Sequence, residues 1–90
     1  MKKDKIRSVI KEVLAKYSIK KAYLFGSFIK KNKYNDIDVM IEPPKGFSLL
    51  DLAGLEIELE EKLNIKAEVI SKNGLSPYMK PYIEKEAVAL

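Results

Sequence analysis

The chain has 90 residues, 47% of them hydrophobic and 33% charged, with a formal net charge of +4. This length predicts one domain spanning residues 1–90, and no apolar run approaches the roughly 20 residues of a transmembrane helix, so we expect a cytoplasmic protein. Because the chain contains no cysteine and no histidine, disulfides, thiolate metal sites, and Ser-His-Asp or Cys-His catalysis are excluded, and any metal must be held by oxygen ligands.

The first predicted elements are a helix, a strand and a loop. Apolar residues recur at helical spacing over residues 4–17, and Asp4 is suited to be the N-cap. Residues 20–25 have strand character and end at Gly26. The polar stretch 27–35, rich in Lys and Asn, predicts a turn or short loop.

The middle of the chain predicts a strand followed by a helix. Residues 36–42 alternate acidic and aliphatic side chains, which is typical of a strand with one apolar face. The Pro-Pro-Lys-Gly stretch then ends that strand. Ser48, with Asp51 three residues later, resembles a capping box, and the leucines that follow predict a helix to about residue 63.

The last third predicts one more strand and a short helix. Residues 65–70 form the strand and 71–74 a turn. Ser76, followed by proline, predicts a helix start, Pro81 an interruption, and 82–88 a resumed helix. The order α-β-β-α-β-α predicts an α/β (α+β) fold: a small mixed sheet with helices packed on one face. The first two strands would pair antiparallel, and the helix at 48–63 would allow a parallel crossover.

Polar residues at three strand positions point to phosphate and metal chemistry. Gly26 and Ser27 end a strand, where glycine admits a phosphate close to the backbone and the hydroxyl can donate to it. Asp36 and Asp38 share one face of the next strand, where their mutual repulsion is best offset by a divalent cation. Glu68 lies on the third strand and would join this cluster if the two strands are neighbours, as a metal ligand or general base.

In this order the residues resemble the minimal nucleotidyltransferases of the DNA polymerase beta superfamily. The family motif is a hydrophobic residue, Gly-Ser, a spacer, Asp-hydrophobic-Asp-hydrophobic, and later a third acid on a strand. Here Phe25-Gly26-Ser27 is followed after eight residues by Asp36-Ile37-Asp38-Val39, and later by Glu68. The stretches 51–55 and 75–78 are also similar to short prokaryotic members, so the resemblance spans nearly the whole chain.

The resemblance implies a nucleotidyltransferase fold and a two-metal mechanism that transfers AMP from ATP to a hydroxyl acceptor and releases pyrophosphate. The catalytic and metal-binding residues would be Asp36, Asp38 and Glu68, with two Mg²⁺ ions, or Mn²⁺ in their place. The nucleotide- and phosphate-binding residues would be Gly26, Ser27 and Lys30. Lys30 stands where many members carry arginine, and it keeps the charge without the bidentate fork. Glu68 stands where most carry aspartate.

The resemblance also implies a partner, because short prokaryotic members are often paired with a HEPN-type toxin. This chain would then be the antitoxin, acting on ATP and its HEPN-type partner. An alternative is a catalytically weak or inactive nucleotide-binding module that neutralises its partner by contact. The small size also makes a homo-oligomer plausible.

A third hypothesis, nucleic-acid binding, depends on an uneven charge distribution. Residues 1–33 contain eleven Lys or Arg against two acids, whereas residues 34–70 contain three Lys against nine acids. A basic segment can attract nucleic acid, but it is also typical of a solvated helix face. The segment lacks interleaved aromatics suited to stacking on bases, so this hypothesis is the least favoured.

Overall fold

Four helices and four strands alternate along the chain, and the computed structural model describes all of residues 1–90. In chain order they are α1 Lys3–Lys16, β1 Lys21–Phe25, α2 Ser27–Lys30, β2 Asp36–Glu42, α3 Leu49–Leu63, β3 Lys66–Ser71, α4 Lys80–Glu86 and β4 Val88–Ala89. None of the helices is long and apolar enough to cross a bilayer.

The sheet has the order β3-β2-β1-β4 and mixed strand directions. β1 pairs antiparallel with β2, and the crossover through α3 makes β2 and β3 parallel. Both pairings and the mixed α/β fold confirm the prediction. The predicted helix 82–88 is wrong at its end, because the chain leaves α4 at Ala87 and adds β4 antiparallel to β1. This strand was not predicted.

One face of the sheet carries the main hydrophobic core. Strand alternation turns Leu24, Val39 and Val69 toward α1 and α3, and sixteen buried residues form this cluster. No polar or charged side chain is buried. Met40 and Ile83 are also buried but lie outside the cluster, because Met40 points to the opposite face of β2 and α4 covers part of that face.

Local chemistry explains where the helices begin. Ser48 and Asp51 form the predicted capping box at the start of α3, and Asn64 ends that helix in a left-handed conformation. Asp4 is not the N-cap of α1. The cap is Lys2, without a side-chain hydrogen bond, and Asp4 lies in the first turn, where its charge favours the helix dipole.

Two further predictions on the loops need correction. The predicted loop after Gly26 begins with the helical turn α2, in which the Ile29 and Lys30 N–H groups donate to the Gly26 carbonyl. The chain after Ser76 forms a turn, and α4 begins only at Lys80. Pro81 therefore lies in the first turn of α4, where its missing N–H costs nothing, and it does not interrupt the helix.

Candidate active site

Three acidic side chains lie on the same open face of the sheet. Asp36 and Asp38 are two positions apart in β2, and alternation points both away from the core. The parallel register places Glu68 of β3 directly beside Asp38. The condition on which Glu68 would join the cluster, that β3 neighbours the Asp-x-Asp strand, is thus met, and three carboxylates from two strands share one surface.

Gly26 brings the backbone close to this surface. Phe25 is the register partner of Asp38, so the chain turns out of β1 beside the Asp38 carboxylate. Gly26 has φ 78° and ψ −157°, a combination essentially restricted to glycine. A Cβ atom built on it would lie 2.4 Å from Asp38 Oδ2. Two independent constraints, conformation and space, therefore require glycine here.

The electrostatics of Asp38 reflect a crowded acidic cluster. Burial raises the pKa of the Asp38 carboxyl above its ordinary value, and the charges of Asp36 and Glu68 raise it further. None of the five salt bridges in the molecule includes any of these three acids. Lys66 is the register partner of Asp36, but it forms no salt bridge with these acids, so the repulsion at Asp38 is not offset by a direct ion pair.

The donor set has the right chemistry for a hard divalent cation, since it consists of carboxylate oxygens beside an exposed backbone turn. In the structure no three acidic side chains lie close enough together to hold a metal ion. The three carboxylates nevertheless share one face of the sheet, with Asp38 and Glu68 in register. The residues fit Mg²⁺ or Mn²⁺ as ligands in this sense.

The remaining predicted residues lie on α2. Ser27 is the first residue of this helix. It follows Gly26 directly after β1 and is half-buried. Lys30 ends the helix, and its ammonium group pairs with the Glu86 carboxylate of α4 at 2.5 Å. The structure therefore joins Lys30 to α4, a contact that sequence analysis did not foresee.

A cavity of about 540 Å³ opens beside the acids. Its volume is in the range of small-molecule sites. Asp38 and Glu68 line it together with Phe25 from β1, Leu49 from α3, and Met79 and Ile83 from the C-terminal segment. Eight of its thirteen lining residues are apolar, and none is basic. The acids thus form the polar end of a largely apolar cavity.

Sequence analysis missed the cavity walls and Glu86. One signal was available for Leu49: it is an apolar residue at the start of α3, but it is not among the leucines that predict the buried face of this helix. The segment carrying Met79, Ile83 and Glu86 gave no comparable signal, because its position over the sheet follows from tertiary contacts.

Comparison with known proteins supplies independent information. A family model described as "Polymerase beta, Nucleotidyltransferase" matches residues 8–90. Two proteins of Methanocaldococcus jannaschii, each named "Putative protein adenylyltransferase", are similar in sequence. One is 38% identical over 94% of both chains, and the other is 36% identical over 96% of this chain and 91% of its own.

Solved structures agree with the sequence comparison. One described as a "putative minimal nucleotidyltransferase" superimposes with a TM-score of 0.81 and 26% identity, covering 100% of this chain and 97% of its own. Another, described as a tri-AMPylated Shewanella oneidensis HEPN toxin in complex with MNT antitoxin, has a TM-score of 0.81 at 17% identity. It covers 98% of this chain and 71% of the matched chain, and at this identity the likeness shows the fold alone.

Proposed function

Since the chain belongs to the polymerase beta nucleotidyltransferase family, we propose that it transfers AMP from ATP to a hydroxyl group of a protein. One observation carries this proposal: Asp36, Asp38 and Glu68 share an open sheet face without any salt bridge. Like charges held together without a direct ion pair weaken a fold, so their presence on one face is better explained by chemistry than by folding.

Asp36, Asp38 and Glu68 would hold two Mg²⁺ ions. Bound there, the metal supplies positive charge at the attacking and leaving oxygens of the displacement. Asp38 is the central ligand in this arrangement, because Asp36 is its neighbour along β2 and Glu68 its neighbour across the sheet. Burial, together with the charges of Asp36 and Glu68, raises the pKa of Asp38, and a bound cation would offset this cost of ionisation.

Gly26 and Ser27 would position the triphosphate beside these carboxylates. Without a side chain at residue 26, a phosphate group can approach the turn between β1 and α2, and the Ser27 hydroxyl can donate to it. Lys30 would contribute positive charge at the end of α2 after leaving Glu86, since both side chains of this pair are substantially exposed.

The transfer step forms one bond and breaks one. The acceptor oxygen attacks the α-phosphorus, the bond to the bridging oxygen breaks, and pyrophosphate leaves with that electron pair. Glu68 is the more exposed of the paired acids and faces the cavity, so it is placed to accept the proton of the attacking hydroxyl. The cavity's apolar walls suit the ring of a tyrosine as the acceptor.

The partner would be a HEPN-type toxin, with this chain as its antitoxin. The support is the fold shared with MNT antitoxins of such complexes and the protein adenylyltransferase names of the relatives. Transfer of AMP to the toxin would inactivate it covalently, so that substoichiometric antitoxin would suffice.

A contact-only antitoxin is the second candidate function. The pairing of Lys30 with Glu86 favours it, because this pair removes the one positive charge that α2 offers to a phosphate. Such a module would bind nucleotide weakly and would neutralise its partner at a one-to-one ratio.

The two functions separate in one experiment. The purified chain is incubated with Mg²⁺, ATP labelled at the α-phosphate and a HEPN-type protein as acceptor, and label on the HEPN-type protein is measured. We expect transfer by the wild type, and none by Asp36→Asn/Asp38→Asn or in excess EDTA. Equal neutralisation of the toxin by this double variant, without label, would support the contact-only function instead.

A further inference from the structure

Two segments that contribute to the cavity wall, residues 49–50 and 78–82, carry five large apolar side chains that are exposed to solvent. Leu49 and Leu50 are 83% and 85% exposed, and Tyr78, Met79 and Tyr82 are 85%, 53% and 71% exposed. These five residues are called the collar. They account for most of the large exposed apolar residues of the chain, whereas the face covered by α1 and α3 has its apolar side chains buried.

The collar is continuous with the acidic cluster. Leu49 and Met79 line the same cavity as Asp38 and Glu68. Leu50 follows Leu49 in the chain, Tyr78 precedes Met79, and Tyr82 lies one helical turn beyond Met79. A small acceptor inside the cavity would leave the outer part of this surface uncovered. The collar therefore suits a larger molecule that inserts one group and covers the rim.

The chemistry of this surface selects among macromolecules. The cavity walls contain no basic residue, so a nucleic acid bound there would find no lysine or arginine to pair with its phosphate backbone. Exposed leucine, methionine and tyrosine side chains are instead the typical centre of a protein-binding surface. A polypeptide with apolar residues beside its acceptor hydroxyl meets both requirements.

We infer that the collar is the acceptor-docking surface: it binds an apolar segment of the protein substrate and so directs the hydroxyl in that segment toward Asp38 and Glu68. This inference rests on the proposed function, and it adds which surface selects the acceptor and by what chemistry. Leu49 and Met79 are its specificity-determining residues, because they alone belong to both the collar and the cavity wall.

Two tyrosine peptides test the inference directly. Acetyl-Leu-Tyr-Leu-amide and acetyl-Gly-Tyr-Gly-amide are compared as acceptors of label from α-labelled ATP. The wild type is expected to prefer the leucine peptide by about tenfold in kcat/KM, the scale of a few buried methylene groups. In Leu49→Gln/Met79→Gln the ratio of kcat/KM for the leucine peptide to that for the glycine peptide should fall to about one. Both positions are exposed, so thermal melting should show a folded variant.

Ile57→Gln is the matched control. Ile57 is also an exposed apolar residue of α3, 55% exposed, but it does not line the cavity. This variant should keep the wild-type preference. A preference that survives in Leu49→Gln/Met79→Gln, or that is lost equally in Ile57→Gln, would overturn the inference.

A binding measurement separates this inference from the proposed function. Amide chemical shifts of the wild type are recorded with each peptide in the absence of ATP. Shift changes at residues 49–52 and 75–83 that occur with the leucine peptide and not with the glycine peptide support binding at the collar. If they occur but no label is transferred, only the proposed function fails. Absence of such shifts overturns the inference. So does sedimentation showing a dimer that Leu49→Gln/Met79→Gln dissociates, since the collar would then bind a second copy.

Discussion

The two faces of the sheet differ in the side chains that they carry: one is apolar and the other carries a cluster of acids. On the face covered by α1 and α3, every inward side chain is apolar and the cluster contains no buried charge. On the open face, Asp36, Asp38 and Glu68 lie together without a salt bridge, beside a glycine held in a conformation that other residues avoid. The first face supplies most of the buried apolar surface, whereas the acids of the second repel one another.

The comparison distinguishes residues that stabilise the fold from residues that serve the proposed chemistry, in a domain that is expected to be only marginally stable. A domain of 90 residues buries only about 60–65% of its unfolded surface. Any destabilisation by the acids of the open face must therefore be offset by burial in the core. Substitutions on the two faces should therefore move stability and activity in different directions.

The largest change in stability is expected in the core. Leu59 is fully buried in the cluster, so Leu59→Ala should lower the free energy of unfolding by about 3 kcal/mol through lost burial and the cavity it leaves. Urea denaturation measures this, and transfer per folded molecule should be unchanged. Ile57→Ala, on an exposed position of the same helix, should cost less than about 0.5 kcal/mol. Equal costs for the two would refute the assignment of the core.

The next effect concerns Gly26, which connects β1 to α2 and lies against Asp38. Gly26→Ala should cost about 1–3 kcal/mol and abolish ATP binding, because the new methyl group is strained by φ 78° and collides with Asp38 Oδ2. Gly46→Ala is the matched control, since Gly46 has φ 83° but a Cβ atom built on it would meet no atom within 4 Å. The excess cost at Gly26 then combines the contact with Asp38 and the strain of ψ −157°. If both variants bind ATP normally, Gly26 has no role in phosphate binding.

A smaller effect is expected at the free edge of the sheet. The Ala67 and Val69 N–H groups of edge strand β3 donate to the Glu60 and Glu56 carboxylates at 3.0 and 2.8 Å. Each glutamate-to-alanine change should cost about 1 kcal/mol, and the double variant should self-associate through the exposed edge. Calorimetry and sedimentation velocity measure the two effects. A similar loss in Glu61→Ala, an exposed residue without such a bond, would contradict this account.

The smallest effect is expected for the ion pair between Lys30 and Glu86. Both side chains are substantially exposed, so Glu86→Gln should change stability by less than about 1 kcal/mol. If Lys30 binds phosphate, its release should tighten ATP binding by about two- to fivefold, the range that corresponds to an exposed ion pair. Glu84→Gln removes the pair with Lys80 within α4 and should leave ATP affinity unchanged. Equal affinities in both variants would remove Lys30 from the phosphate site.

Sequence analysis could predict elements whose patterns are local. The alternation in β2, the capping box at Ser48 and the Asp-x-Asp spacing each depend on residues within one element, and the structure contains them as expected. The length of the crossover helix allowed parallel pairing of β2 and β3, but only the structure places Glu68 beside Asp38.

Features that depend on tertiary contacts could not be predicted in this way. β4 has two residues and exists because Val88 and Ala89 reach the edge of β1, not because of their own sequence pattern. The same is true of the cavity, whose walls come from four separate segments.

The central claim is that the acids of the open face serve chemistry and not folding, and Asp38→Asn tests it most directly. Because burial and the charges of Asp36 and Glu68 raise the folded pKa of Asp38, ionised Asp38 weakens the fold at neutral pH. Its unfavourable contribution disappears as the pH falls below the pKa of the unfolded chain, about 3.9.

The measurement pairs unfolding free energy with label transfer for Asp38→Asn and wild type at neutral pH, with unfolding followed in EDTA. The account predicts that the variant is at least as stable as the wild type, with a gain below about 1 kcal/mol that vanishes in acid, while transfer is lost. A variant that is markedly less stable yet still transfers label would contradict it.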